Sequence, residues 1–333
     1  MTRDIDDGPL ADGASANVQL TTISAAKLLG NDPQTQKDLL EACKDLGFFY
    51  LDCRDHPSSP VLSLVAEMAS TALDFYDLPE SIKENYKPAG KQEGAVKGKK
   101  DGWEGIILME HPLAQIPPED PMPGPPVIQN ARGLIEATQD QLGEMSRAIV
   151  DSLSRSLHMT GDQSLGRHHR KGCPAPTDLE ILKYLPYVPG SEKVGHIPHT
   201  DLGSVSMVFS DVGGLQVFHP LRKEWMFVPP RPGHAVCNLG DAMEFLSGNV
   251  LRSSLHRVIP YTQDPGKIKL SIIHFLRPSE HTKIVSPDGK EWTVAEWNTM
   301  KHKLLHEGGE MQKNLSIITR REGQDDFWRE QAV

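Results

Sequence analysis

Between Leu179 and Leu276 the chain breaks into seven short apolar segments, each closed by turn-forming residues, and this rhythm constrains the fold more than any other property of the sequence. The segments are Leu179–Tyr187, Ser204–Phe209, Gly214–Phe218, Trp225–Val228, Ala235–Leu239, Arg257–Tyr261 and Ile268–Leu276. Such segments are too short for globular helices, and strands spaced this closely predict a β-sandwich or jelly-roll barrel. The sequence before them has a different period. Gln34–Leu46 carries Leu39, Cys43 and Leu46 at helical spacing, Gly47 ends it, and Phe48-Phe49-Tyr50-Leu51 reads as a strand. Pro60 opens a second amphipathic stretch through Val65, Met68, Ala72 and Phe75, and Leu134–Leu157 aligns Leu142, Met145, Ile149, Leu153 and Leu157 on one stripe. Glu291–Glu307 forms a last helix with Trp292, Ala295, Met300 and Leu304 as its apolar side.

Helices first, a β core second and a closing helix make one α+β unit. The expected division is a disordered tail over 1–16, a helical and strand region over 17–130, and a long supporting helix with its connector over 131–177. The β core follows over 178–280, and the C-terminal helix and tail over 281–333. Residues 88–102 are rich in Gly and Lys and read as a mobile loop, while Pro112–Pro126 reads as a Pro-rich connector.

Bulk properties exclude several function classes. A net charge of −10 and a pI near 5.8 argue against nucleic-acid and anionic membrane surfaces. No apolar run approaches the ~20 residues that span a bilayer, and the N-terminus has no apolar signal segment. Cys43, Cys53, Cys173 and Cys237 lie far apart with no Cys-x-x-Cys pair, which reads as free thiols in a reducing cytoplasm. The partner expected is a small molecule, with the protein a monomer or weak homo-oligomer.

The chemistry concentrates in the β core. On an extended strand His199 and Asp201 point one way and Thr200 the other. His-x-Asp is cheap in a chain with 14 His and 45 acidic residues, so its company decides its meaning. His256 follows in Leu-His-Arg-Val, and two imidazoles with one carboxylate form the facial set that suits non-haem Fe(II). Asp201 and His199 are expected at the start of the Ser204–Phe209 strand. Lys269 and Ser271 share a strand face with Ile273 and Phe275, and an ammonium beside a hydroxyl inside a barrel makes a carboxylate clamp. Lys267 and Arg277 rival Lys269 for that charge role. Phe275, Ile273 and Trp103 are the candidate substrate contacts, with packing an equal reading for Trp103. His196, His219 and His234 read as supporting or surface histidines.

The ordered set resembles the Fe(II)- and 2-oxoglutarate-dependent dioxygenase superfamily, in the branch that includes isopenicillin N synthase. The resemblance rests on Leu39–Cys43 with Gly47–Leu51, on Leu78-Pro79-Glu80 through Lys83, and on His199-Thr200-Asp201. It continues through Gly213–Val217, Trp225, Pro230, Gly233, Asn238-Leu239-Gly240-Asp241, Ser247-Gly248, Ser254 and His256-Arg257-Val258. It implies a double-stranded β-helix (jelly-roll) core with His199, Asp201 and His256 as ligands of Fe(II). Lys269 and Ser271 fall at the pair that grips the distal carboxylate of 2-oxoglutarate, where relatives carry Arg-x-Ser. Lys183-Tyr184-Leu185-Pro186 departs similarly: register against Pro186 puts Leu185 where relatives have a co-substrate Tyr, with Tyr184 as the substitute. The implied reaction consumes 2-oxoglutarate and O₂, releases succinate and CO₂, and oxidises a C–H bond of a small organic molecule in specialised metabolism. Hydroxylation is the default outcome; desaturation or rearrangement needs only a different fate for the substrate radical. A 2-oxoglutarate-independent iron oxidase of the isopenicillin N synthase type, a Zn²⁺ hydrolase or isomerase using the same residues, and a non-redox metal-binding protein are the other readings.

Overall fold

In a computed structural model, residues 16–56, 60–86, 103–184, 195–259 and 267–306 are described. The chain begins with β1 (Thr22–Ser24), α1 (Ala25–Leu29) and α2 (Pro33–Asp45). Both helices start on side-chain caps: Ser24 accepts from the Lys27 N–H and Asp32 from the Thr35 N–H. Then come β2 (Phe48–Asp52), α3 (Val61–Tyr76), α4 (Glu80–Asn85), β3 (Trp103–Met109), α5 (Glu110–Ala114), α6 (Pro126–Asn130) and α7 (Arg132–Ser156). The β core comprises β4 (Asp178–Tyr184), β5 (His196–His199), β6 (Val205–Ser210), β7 (Leu215–His219), β8 (Glu224–Phe227) and β9 (His234–Leu239). It continues through α8 (Asp241–Leu246), β10 (His256–Val258) and β11 (Lys269–Leu276). The described chain closes with β12 (Lys283–Val285), β13 (Glu291–Thr293) and α9 (Val294–His306).

Two sheets face each other. The larger has the order β1-β2-β9-β6-β11-β4-β3 and the smaller β5-β10-β7-β8. From β4 to β11 the chain alternates between the sheets, apart from the β7–β8 hairpin within the smaller one, which is the winding of a jelly roll. Pleating divides the larger sheet. Phe49, Leu51, Ile106, Leu108, Leu179, Ile181, Met207 and Ile272 turn outward onto Leu142, Ile149 and Leu153 of α7. Phe48, Tyr50 and Val236 turn inward onto Val217 and Met226 of the smaller sheet. At about 1.5–3 kcal/mol for each large apolar side chain removed from water, the α7 stripe fixes the outer face and leaves the inner one for function.

The seven expected segments correspond to β4, β6, β7, β8, β9, β10 and β11, with ends shifted by at most one residue wherever the expected end is a described position; Tyr187 and Tyr261 lie outside the described residues. Three differences matter. His199 and Asp201 do not open β6: His199 ends β5 in the opposite sheet, and Asp201 lies in the turn between the two strands. Trp103–Met109 is a strand at the edge of the larger sheet, where the sequence reading had only a loop before it and a Pro-rich connector after it. Glu291–Thr293 pairs with Lys283–Val285 as a hairpin, so the last helix starts three residues later than its apolar period indicates. Residues 1–15, 88–102, 185–187 and 307–333 lie outside the described residues. Ala16, the last residue of the expected tail, accepts a backbone hydrogen bond from Phe227.

Gly47 locks the N-terminal layer onto the core. Its N–H bonds Ala42 O at the end of α2, and its carbonyl accepts from the Leu239 N–H at the end of β9. It sits at φ +70°, and a Cβ there would stand 2.0 Å from the carbonyl oxygen of Arg252. Left-handed backbone alone costs a non-glycine residue about 1–2 kcal/mol. Gly47→Ala should therefore lower stability by about 2 kcal/mol or more, read as a lower urea midpoint at unchanged slope. A wild-type midpoint would contradict this account of the junction.

Candidate metal centre

His199 and His256 are brought together by pairing between strands. β10 lies antiparallel to β5 with His256 directly opposite His199, and such a pair puts two side chains on the same face of one sheet. The ring centroids stand 4.4 Å apart at 54°. The chain then leaves β5 and places Asp201 beneath both rings, with Oδ1 3.7 Å from Nε2 of His199 and 3.7 Å from Nε2 of His256. One ligand atom from each residue lies within 4.8 Å of the others. These separations are too long for hydrogen bonds among the three groups, and one ion with bonds of about 2.1 Å spans them.

The surroundings aim these atoms. Asp201 Oδ2 accepts hydrogen bonds from Ser206 Oγ on β6 and from Asn238 Nδ2 on β9, the latter at 2.6 Å. Its main-chain carbonyl accepts from the Asp241 N–H at 2.8 Å. Oδ1 is thus the oxygen turned toward the imidazoles. His256 Nδ1 lies 3.1 Å from the Ser254 carbonyl, which can only accept, so Nδ1 carries the proton and Nε2 offers its lone pair. Phe48 closes the edge of that ring at 5.5 Å. Burial alone pushes the Asp201 carboxyl up, but His256 and His199 beside it, with the Ser206 and Asn238 donors, hold it well below the usual carboxylate range. The residues present fit a divalent cation that accepts two nitrogens and one anionic oxygen on one face.

Lys269 and Tyr184 face each other across β11 and β4, and Ser271 lies one pleat further along, opposite Leu182 and Ser210. The Lys269 ammonium donates to Ser210 Oγ at 2.9 Å and to the Val212 carbonyl at 2.5 Å, and lies 5.7 Å from the centre of the Tyr184 ring. Burial pushes its pKa down to about 8, against the opposing pull of Asp211. The rival cations are placed differently. Arg277 is held by Asp178 at 2.7 Å and by the Pro176 carbonyl, and Lys267 faces Asp211 from the exposed surface. The backbone register sets Tyr184 against the cation, although alignment on Pro186 favours Leu185, which lies outside the described residues.

Ile273 is buried between Leu182 and Tyr184, with Trp103 and Phe275 packed at the margin. The Phe275 ring lies 4.8 Å from the Arg277 guanidinium. Trp103 stacks on His196 at 4.6 Å, and His196 Nδ1 is hydrogen-bonded to the Tyr184 hydroxyl at 3.1 Å. His196 is therefore part of the wall beside His199, and burial lowers its pKa to about 4. His234 instead faces Asp52 and Tyr50, and His219 accepts the Arg222 N–H in the β7–β8 turn. Sequence reading missed Ser206 as an Asp201 holder; its alternation with Val205 and Met207 on a strand was the available signal. Asn238 was legible as a motif member without its role.

Comparisons with known proteins agree with this geometry. The profile of the 2OG-Fe(II) oxygenase superfamily matches residues 176–278, and a profile described as "non-haem dioxygenase in morphine synthesis N-terminal" matches residues 20–114. A 2-oxoglutarate-dependent dioxygenase of Gibberella zeae is 30% identical over 309 residues, covering 90% of this chain and 92% of that protein. An oxidoreductase of Penicillium aethiopicum is 32% identical over 308 residues, covering 90% of this chain and 74% of that one. The fold resembles that of a Neurospora crassa enzyme crystallised with alpha-KG and 5-formyluracil, with a TM-score of 0.70 at 21% identity over 86% of this chain and 98% of the other. The chain belongs to the 2OG-Fe(II) oxygenase superfamily, and is an oxidoreductase of the kind that uses Fe(II), 2-oxoglutarate and O₂.

Proposed function

We propose that this enzyme hydroxylates a small organic molecule in specialised metabolism, with His199, Asp201 and His256 holding Fe(II) and with Lys269, Ser271 and Tyr184 receiving 2-oxoglutarate. The observation that carries the reading is the inward face of β11, which sets a buried ammonium and a hydroxyl in the same barrel as the two-imidazole, one-carboxylate set. When bound, Fe(II) couples O₂ reduction to decarboxylation of 2-oxoglutarate and to oxidation of the substrate. The chain supplies the rest. Asp201 remains anionic at neutral pH and keeps one oxygen for the cation. Of the three N–H bonds of Lys269, two are spent on Ser210 and Val212, and the third can reach a carboxylate that Ser271 also meets. Ile273, Phe275 and Trp103 form an apolar wall that orients the substrate and excludes water. The description of the N-terminal profile by morphine synthesis, and the 5-formyluracil held by the Neurospora enzyme, support oxidation of a small metabolite.

The substrate is met without nucleic acid or membrane, by a monomer or weak homo-oligomer in the cytoplasm. Four free cysteines and the acidic net charge support that setting. Desaturation or rearrangement would use the same residues. A second reading, oxidation without 2-oxoglutarate, is favoured by Lys269 itself: a point charge with two donors already engaged replaces the bidentate fork of an arginine.

Release of labelled CO₂ from 1-carboxyl-labelled 2-oxoglutarate, with O₂ uptake measured in parallel, separates the two. We expect CO₂ release that requires Fe(II) and stops on chelation; O₂ uptake on a substrate without 2-oxoglutarate would establish the second. A charge-assisted hydrogen bond contributes about 1.5–3 kcal/mol. Lys269→Ala should therefore raise the KM for 2-oxoglutarate about tenfold or more at a nearly unchanged kcat, and Lys267→Ala should leave both at wild-type values. The reverse pattern would move the clamp to Lys267.

The lowered pKa of Lys269 gives a pH signature. Below about 8 the ammonium is present and attracts the carboxylate; above it the free amine offers no charge. The affinity for 2-oxoglutarate should fall as pH rises through about 8, and Lys269→Arg should flatten that fall because guanidinium stays charged. An unchanged profile in the variant would remove Lys269 from the clamp.

A further inference from the structure

Behind the three candidate ligands lies an ion pair that the proposed chemistry does not use. Lys301 on α9 and Asp241 at the first turn of α8 are both fully buried and joined directly. Lys301 Nζ also donates to the Thr200 carbonyl at 3.0 Å and to the Thr200 hydroxyl. Thr200 stands between His199 and Asp201, so the lysine grips the backbone and the side chain of the residue that joins the two ligands. Asp241 touches the loop and the third ligand's approach together. Its N–H donates to the Asp201 carbonyl at 2.8 Å, and its Oδ1 accepts from Ser253 Oγ at 3.0 Å, three residues before His256. Gly240 permits the contact: a Cβ there would stand 2.4 Å from the Gly203 carbonyl and 2.9 Å from that of Asp201.

Stability alone does not account for such a pair. A buried ion pair is commonly matched or exceeded in stability by apolar side chains of similar volume, and α9 already docks through apolar contacts. Trp297 is buried against Phe245 at 5.1 Å and clusters with Leu202, the residue after Asp201. Apolar replacements would preserve that docking but could not donate to a carbonyl on one side of the loop while accepting from Ser253 on the other. The pair adds polar ties from α9 to the ligand-bearing segment at Thr200 and, through Asp241, to Ser253 ahead of His256.

We infer that Lys301 and Asp241 are a positioning pair, through which the docked C-terminal helix α9 holds His199, Asp201 and His256 in metal-binding register. This rests on the metal site proposed above. Partners behind metal ligands typically govern affinity by 10–100-fold, and binding at the ligands must in return steady the helix.

Mn(II) alone serves as probe, its free concentration followed by electron paramagnetic resonance. Lys301→Met strands the Asp241 charge and can fail to fold; Asp241→Asn combined with Lys301→Met removes both charges and keeps the side-chain amide near Ser253. We expect the double variant to bind Mn(II) at least tenfold more weakly than wild type, with a far-ultraviolet spectrum like that of the metal-free wild type. Wild-type affinity in the double variant would overturn the positioning role. In the wild-type protein, Mn(II) should slow amide exchange over residues 294–306; exchange unchanged at saturation would overturn the proposal without any variant. Failure of the wild type to bind Mn(II) would overturn the metal site itself, a separate outcome.

Discussion

A carboxylate removed from water must find other partners for every lone pair, and the account given to Asp201 organises the structure around it. One oxygen is bound by donors from two strands of the larger sheet, Ser206 and Asn238, and the other is turned to imidazoles on two strands of the smaller sheet. Neither sheet can build this alone. An isolated carboxylate in such surroundings would take up a proton. The imidazoles on one sheet and the Ser206 and Asn238 donors on the other are what keep it ionised. The jelly roll is in this sense a device for holding one charge between two layers.

The inner surface of the barrel is divided accordingly. From the far edge of the His256 ring onward, Phe48, Tyr50, Val217, Met226 and Val236 fill the space between the sheets as any core would. Toward β11 and β4 the same inward positions carry Lys269, Ser271 and Tyr184, then Ile273 and Phe275. A lysine in this place satisfies its burial through a serine and a carbonyl rather than an acid, so its charge stays weakly compensated and its pKa low. A group that is only half content with its protein partners is well placed to receive a dicarboxylate.

Much of this was legible because it is local. The strand rhythm needs only neighbouring residues, as do the helical stripe over Leu142–Leu153 and the shared face of Lys269 and Ser271. His199, Asp201 and His256 were legible through their order, which a resemblance carries over long gaps. What escaped depends on contacts the sequence does not encode nearby. The four residues of β5 are too few for a period, and the sequence alone therefore attaches His199 to the following strand. Trp103–Met109 has apolar residues on both faces, because one side meets helices and the other the barrel, and alternation was therefore masked. The role of Lys301 rests on Thr200, 101 positions earlier, and on Asp241, 60 positions earlier. In the sequence it is one lysine of the last helix, with no neighbouring motif to mark it.

His199, Asp201 and His256 are proposed to hold Fe(II) in the same barrel that receives 2-oxoglutarate. Anaerobic addition of Fe(II) and then 2-oxoglutarate to the metal-free protein tests it in one cuvette. We predict a weak visible charge-transfer band that appears only when both are present and is lost in Asp201→Ala. A protein that binds both without that band, or an Asp201→Ala variant that retains it, would contradict the claim.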